Sequence, residues 1–479
     1  MKTAAFSFSM GILIFSVGCG GGGSSSAGLP SGNSTEAFAV SCAPVSGQKT
    51  QPPYFIGQNL QCTATTASGS AQPTWTTSAG VISNTGTLSQ ITQAGTVTIN
   101  ATLGSTSQRV DIEFAKPVGA PGLVFTAPLS STAIMWDFVV DDSSRVCGAG
   151  WSSGSTPQAE LFSMPFWSRQ ANQNSIAQAS LLTNAVLANK RPLFGGANVT
   201  ASAYVPLLVS SDDTPKLLTS GECAGAGILT ALAFDAEHGE AWGAWSSNTQ
   251  SSRIPIDPDT FQPECGSATP LLESTPSQPR VPWIWSLYAT TNGTVASGHY
   301  VSGGNTTGFV VMNTQAGDEI ARKEFPGLAD VRITPPITEG SDQVVYIAGH
   351  DIGSGGDVWT VIKLNSSLDE IWRKTWSFSA SGKNQPYSIV VSPDGGVIVA
   401  GMSTQVSASQ SSVTDTMLIA LSPDGGVAWG PLRINPTDDG AGSCYISSLR
   451  FTPDQRFMLA AAGCTQSEFS SYLLGFAMQ

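Results

Sequence analysis

From about Ala37 onward, short runs alternate apolar with polar residues, and clusters of Gly, Pro, Asn, Asp and Ser separate them. A period of two bounded by turn residues predicts strands. Between residues 37 and 116 the runs include Leu60–Thr65, Pro73–Trp75 and Gly95–Ala101. Regular short strands over roughly 80 residues predict a small β-sandwich. Lys116–Gly122, with two prolines and two glycines, reads as a linker into the remainder, residues 117–479.

That remainder repeats. Its unit is an apolar run, a tight turn, then a second apolar run ending in small residues and Gly. The clearest copy runs Tyr387–Ser392, turns at Pro393-Asp394-Gly395, and returns through Gly396–Gly401. Pro presets φ for a type I turn, and the Gly after Asp can take the left-handed position that closes the hairpin. Related turns fall at Asp142-Ser143, Asn189-Lys190, Glu237-His238, Asn292-Gly293, Gly340-Ser341 and Asp454-Gln455. Their spacing of roughly 50 residues is that of propeller blades. A second hairpin follows in most copies: Thr360–Leu364 with Glu370–Lys374, and Thr416–Leu421 with Val427–Trp429. Four antiparallel strands in each of seven units predict a seven-bladed β-propeller. The final copy ends on a third strand, Tyr472–Ala477, with no fourth after it. Gly122–Ala127 stands unpartnered before the first complete copy, and supplying that missing strand would hide both edges of the ring.

These segments resemble known families. The order Gln-Cys-Thr-Ala-Thr, Pro-Thr-Trp, Asn-Thr-Gly-Thr-Leu and Ala-Gly-Thr-Val-Thr-Ile-Asn-Ala in residues 37–116 is similar to bacterial immunoglobulin-like domains of surface proteins. The runs Ser392–Gly401 and Leu418–Trp429 resemble the repeats of secreted bacterial propellers. The expected fold is therefore all-β, a small Ig-like β-sandwich followed by a seven-bladed propeller that is monomeric.

The first residues change the picture of where such a protein works. Met1-Lys2-Thr3 leads into the apolar stretch Ala4–Val17 and then Gly18-Cys19, which has the form of a secretory signal. The small residue followed by Cys resembles the bacterial lipobox, although Ser16 stands where that family prefers Leu. The resemblance implies a signal peptide over 1–18, acylation (palmitate) of Cys19 and insertion of that lipid into a bilayer. Gly20–Gly23 and Ser24–Ser26 then form a flexible tether over 19–36. Gly20 is not the Asp that signals inner-membrane retention, so an outer-membrane lipoprotein of the cell envelope is expected, with its side undetermined.

Composition agrees with export and narrows function. Charged residues are 11% of the chain and the net charge is −13, which argues against a nucleic-acid partner. Beyond Cys19, seven cysteines remain, which in an oxidising compartment would mostly pair. Carrying the register of the clearest hairpin onto Pro453-Asp454-Gln455, with Thr452 facing Arg456, sets Cys444 opposite Cys464. Cys42–Cys62 and Cys223–Cys265 are the natural other pairs, which leaves Cys147 as a buried, inert thiol.

Candidate chemistry is sparse. No Cys–His spacing fits zinc, no calcium loop appears, and no Gly-x-Ser-x-Gly elbow supports a serine triad. His299 and His350 each follow a Gly at the same repeat position, and Trp151, Trp245 and Met402 occupy that position in other copies, as do Asn198 and Cys464. These five, Trp151, Trp245, His299, His350 and Met402, form the candidate ligand ring on one face. Trp372 and Trp429 hold matching fourth-strand places as packing residues, and a quinone cofactor is disfavoured because the Gly expected after Trp372 is missing; no metal or cofactor is expected. Asp137 is a rare acid on an innermost strand, and one carboxylate is not the pair a glycosidase needs. A non-enzymatic binding or scaffold module for an envelope protein or glycan is the expected function. The alternatives are a propeller enzyme (glycosidase, lyase or dehydrogenase) and a periplasmic scaffold for outer-membrane protein assembly.

Overall fold

The computed structural model describes residues 37–478 apart from short connecting segments, the longest being 45–53 and 218–226; Cys19 and Cys223 lie outside the described residues. Every described element but one short 3-10 turn, Cys265–Ser267, is a β-strand. Two sheets come first. Phe38–Pro44, Leu60–Thr66, Thr87–Ser89 and Val81–Ile82 pair in that order, with Gly69–Ala71 beside the second strand. Tyr54–Phe55, Thr106–Ala115, Gly95–Leu103 and Thr74–Thr77 make the other. Alternation along Leu60–Thr66 buries Leu60, Cys62 and Ala64. Leu60, Cys62 and Leu88 of one sheet share a core with Val97, Ile99 and Phe114 of the other.

Seven antiparallel sheets follow, numbered here by their inner strands: Ala133–Val140, Ser180–Ala188, Ile228–Asp235, Val281–Thr290, Leu328–Ile333, Asn384–Val391 and Ser443–Phe451. Each inner strand pairs with the next strand in the chain, and two further strands lie outside. Sheet 5 alone interrupts its inner strand: Thr334-Pro335-Pro336 separates Leu328–Ile333 from Ile337–Glu339, as expected where two prolines remove ladder donors. In sheet 7 the strand Phe469–Ala477 pairs with Gly122–Ser130, so the beginning of this region completes its last sheet.

The recurring turn has a local cause. In sheet 6 the Ser392 amide donates to the Gly396 carbonyl and the Gly395 amide to Ser392, with Gly395 at φ +83°. The Ser392 hydroxyl also contacts Asp394, and Ser422 with Asp424 and Thr452 with Asp454 repeat that contact in two further turns. Lateral packing is equally specific. Trp372 donates its indole N–H to the Pro423 carbonyl (3.0 Å), and the Lys363 ammonium donates to the same oxygen (2.9 Å). Both reach from sheet 5 to the outer turn of sheet 6, so Trp372 is a packing residue between sheets.

Disulfides join Cys42 to Cys62 and Cys444 to Cys464, each across directly opposed positions of neighbouring strands. The second pairing arises differently from the transferred register. Thr452 faces Phe457 rather than Arg456, so the turn is one residue longer, and a bulge between Ile446 and Ser448 takes that residue back. The two offsets cancel at the cysteines. Cys147 is a free, buried thiol, and burial pushes its pKa up. Both properties suppress the reactive thiolate. Non-reducing peptide mapping should recover the 444–464 link, and Cys147 should alkylate only after unfolding; alkylation of the native protein at the rate of a free thiol would contradict this burial.

Candidate functional site

All seven inner strands carry a β-bulge at the same level. The pairing with the second strand shifts between Met135 and Asp137, Leu182 and Asn184, Leu229 and Ala231, Ile284 and Ser286, Ala329 and Arg332, Pro386 and Ser388, and Ile446 and Ser448. A bulge leaves its extra residue unpaired and re-aims the side chain. Here the extra residues of six sheets, Trp136, Thr183, Thr230, Trp285, Tyr387 and Ser447, all line one central channel. Arg332, the residue after the bulge in sheet 5, lines it too. The channel has a volume of about 810 Å³, within the range of small-molecule sites.

The second strands explain how the bulges fit. A Cβ added at Gly150, Gly196, Gly298 or Gly401 would lie 1.8–2.0 Å from the carbonyl oxygen of Ile134, Leu181, Trp283 or Gln385, respectively. The recurring Gly is therefore the residue that lets a bulged inner strand close on its neighbour.

The residue after each bulge ties its sheet to the next. Asn184 donates to the Leu229 carbonyl (2.7 Å), Ser286 accepts from the Ile333 amide (3.4 Å), Arg332 Nε donates to the Tyr387 carbonyl (3.0 Å), and Ser388 accepts from the Leu449 amide (3.0 Å). Sheet 3 has Ala231 at this position, and Ser246 on its second strand accepts from the Ile284 amide instead (3.2 Å). Asp137 is the most connected of the set. Its Oδ1 accepts from the Phe138 amide (2.9 Å), the Ser448 hydroxyl (2.5 Å) and Arg450 Nη2 (2.8 Å); its Oδ2 accepts from the Ala185 amide (3.0 Å) and Arg450 Nη2 (3.1 Å). One carboxylate thus joins sheets 1, 2 and 7.

Aromatic groups dominate the remaining wall. Trp283 and Trp285 lie 6.1 Å apart between centroids with planes at 16°, and the Arg332 guanidinium sits 4.3 Å from the Trp285 ring. Trp136, Tyr387 and Tyr445 form a second cluster with centroid separations of 5.6–6.4 Å. Burial pushes the Tyr387 phenol up to about 12 and raises Tyr445 as well, so both stay protonated donors. Tyr387 donates to Gln385 Oε1 at 2.8 Å.

The five ring residues do not share one level. Trp151, His299 and Met402 oppose Ile134, Trp283 and Gln385, whereas Trp245 and His350 oppose Leu229 and Ala329, one step nearer the bulge. Of the five, Trp151 lines the channel. Trp245 is buried in the core between sheets 2 and 3. Met402 sulfur lies 3.6 Å from the Tyr387 hydroxyl. The two histidines do meet: the Asp330 carboxylate lies between them, 3.4 Å from each Nδ1. The Trp285 indole N–H and the Asp330 amide both point at His299 Nδ1 (3.1 Å each), so that nitrogen is the unprotonated one. Burial lowers the His299 pKa, against the opposing pull of Asp330. Among the described residues no group of three or more His, Cys, Asp or Glu is arranged to hold a metal ion. His238, in the turn of sheet 3, pairs with Asp235 (2.6 Å).

The bulge residues escaped the pattern of repeat equivalence, which followed the second strands. Their trace was an aromatic or hydroxyl residue interrupting the alternation near the start of six of the seven inner strands.

No family model and no curated protein matches the chain. Solved structures with a similar fold include β-propellers. The Dos1 propeller has 11% identity and a TM-score of 0.41, over 73% of this chain and 95% of that one. The β-propeller domain of Cps50 (Swd1) from Myceliophteria thermophila has 10% identity and a TM-score of 0.44, over 75% and 100%. A polysaccharide lyase, the PL25 ulvan lyase, has 9% identity and a TM-score of 0.47, over 74% and 96%. The chain is all-β among its described residues, and two of these neighbours are named as propellers and one as a polysaccharide lyase.

Proposed function

We propose that this protein is an exported lipoprotein of the outer membrane, acylated at Cys19, whose propeller is a non-catalytic recognition module for an envelope glycan or protein. In this reading the Gly/Ser tether of 19–36 and an immunoglobulin-like domain of 37–116 stand a seven-bladed propeller, 117–479, away from the lipid. Two sheets with a shared core and seven further sheets, the last completed by Gly122–Ser130, support that division. Several acyl carbons at about 0.8 kcal/mol per buried methylene suffice for a stable anchor.

One observation carries recognition over catalysis: the acid that lines the aromatic channel, Asp137, already accepts from four different groups. A carboxylate nucleophile or general base needs a lone pair free to meet the substrate. A glycosidase needs two such groups facing each other. An open, aromatic, largely pre-formed channel suits binding instead.

Cell fractionation tests the anchor. Wild-type protein should carry radiolabelled fatty acid and sediment with membranes, and Cys19→Ala should lose the label and leave the membrane fraction. An unlabelled wild-type protein would overturn the assignment. Protease shaving of intact cells then reports which side of the outer membrane the propeller occupies.

A further inference from the structure

We propose that the channel binds an acidic saccharide, with a uronate-type carboxylate on the Arg332 guanidinium and a sugar ring against the Trp283–Trp285 pair. This rests on the recognition reading above and names its ligand class.

The charge distribution comes first. The chain as a whole carries −13, yet the charged residues lining the channel are Asp137, Arg332 and Arg450. Asp137 and Arg450 neutralise each other through contacts of 2.8 and 3.1 Å. Arg332 is left as the one charge of the wall without an ion pair, with Asp330 and Asp137 acting on it only through space. It is 9% exposed, and no ion pair to it occurs among those of the described residues. Asp330, two residues away, is turned to His299 and His350.

The position that Arg332 occupies is the second argument. In sheets 1, 2, 4, 6 and 7 the residue after the bulge is Asp137, Asn184, Ser286, Ser388 or Ser448, short side chains that reach the neighbouring sheet and stop there. Arg332 makes the same lateral bond with Nε alone. Its fork continues past that bond, and Nη1 is buried with no hydrogen-bond partner. A buried, unsatisfied donor on a charged group costs free energy unless a ligand supplies the acceptor. The planar guanidinium matches a carboxylate through paired N–H···O bonds. Stacking on Trp285 at 4.3 Å fixes its plane in advance.

The third argument selects a sugar. Trp283 and Trp285 are near-parallel, half-buried and both on the channel wall. An indole face is electron-rich, and the C–H bonds on one face of a pyranose ring present the complementary positive edge. A flat aromatic platform beside one fixed cation suits a ring carrying a carboxylate.

Calorimetric titration of the full-length, detergent-solubilised protein tests this with trigalacturonate, the neutral galactose trimer and a short polyglutamate peptide. Trigalacturonate should bind, and the neutral trimer should bind at least about tenfold more weakly, the equivalent of one charge-assisted hydrogen bond. Arg332→Met should remove that preference. Trp283→Ser, which leaves the lateral bond of Arg332 in place, should weaken both saccharides together, and melting curves show that each variant is folded. Equal binding of charged and neutral trimers, or indifference to both substitutions, overturns the acidic-saccharide inference. Binding of polyglutamate alone overturns it in favour of a peptide ligand while leaving recognition intact. Cleavage of trigalacturonate would instead sink the non-catalytic reading.

Discussion

Asp137→Ala is expected to lower the unfolding free energy by about 2–4 kcal/mol, below the full cost of breaking a buried ion pair because the channel admits some solvent. The side chains of Asp137 and Arg450 are 14% and 31% exposed, so the pair is screened in part. What alanine removes is more than one ion pair. The Ala185 amide on sheet 2 and the Ser448 hydroxyl on sheet 7 lose their acceptor, and Arg450 keeps a bond only to the Leu449 carbonyl (2.8 Å). A donor left without an acceptor carries its own desolvation cost, so the loss exceeds the net worth of the bonds themselves. Asp137→Asn keeps the shape and one carbonyl acceptor and should cost roughly half as much. Urea midpoints at constant m-value measure both, and a double-mutant cycle with Arg450→Met should return a coupling of at least about 1 kcal/mol. Alanine within about 0.5 kcal/mol of wild type would show that the tie between the first and last sheets contributes little.

The contrast between Asp137 and the ring of Trp151, Trp245, His299, His350 and Met402 marks where the chain can be read directly. Sheet count, hairpin order and the strand exchange between Gly122–Ser130 and Phe469–Ala477 follow from runs and turns, because strand period and turn chemistry are local properties. The Pro-Asp-Gly turns are legible residue by residue. The site is not, because it depends on bulges, and a bulge changes which face each later residue takes without changing the apolar pattern on either side. Trp245 and His350 fall one step nearer the bulge than Trp151, His299 and Met402. The recurring Gly held the clue. Gly150, Gly196, Gly298 and Gly401 are each pressed against an inner-strand carbonyl just before the bulge. A strand glycine of that kind marks close backbone approach, and the residue to inspect is the one after its partner across the ladder. Read that way, Trp136, Trp285 and Tyr387 stand out as channel residues. Arg332 is legible only once the lateral bonds are known, since its oddity lies in replacing a short side chain.

Beginning the chain at Ser131 instead of Gly119 is expected to abolish stable folding of the propeller. The strand Gly122–Ser130 buries Val124, Phe125, Ala127 and Leu129. Three large apolar side chains at about 1.5–3 kcal/mol each amount to about 4.5–9 kcal/mol. That is comparable with the whole stability of a typical domain, about 5–15 kcal/mol. Removal also exposes Phe469–Ala477 as an edge, with Leu473, Leu474 and Phe476 no longer covered on that side. An apolar, unpaired edge strand recruits other chains. The shorter chain should therefore elute as aggregate, whereas the chain beginning at Gly119 should elute as a monomer and melt cooperatively. A single substitution probes the same seam from the other side. A Cβ at Gly475 would lie 1.9 Å from the Phe125 ring, so Gly475→Val must displace either that ring or the strand carrying it. It should lower the melting temperature of the full chain, and Phe125→Ala in the same molecule should recover part of the loss by making room. Equal solubility and melting for chains starting at 119 and 131, with Gly475→Val silent, would mean that the ring closes without its first strand.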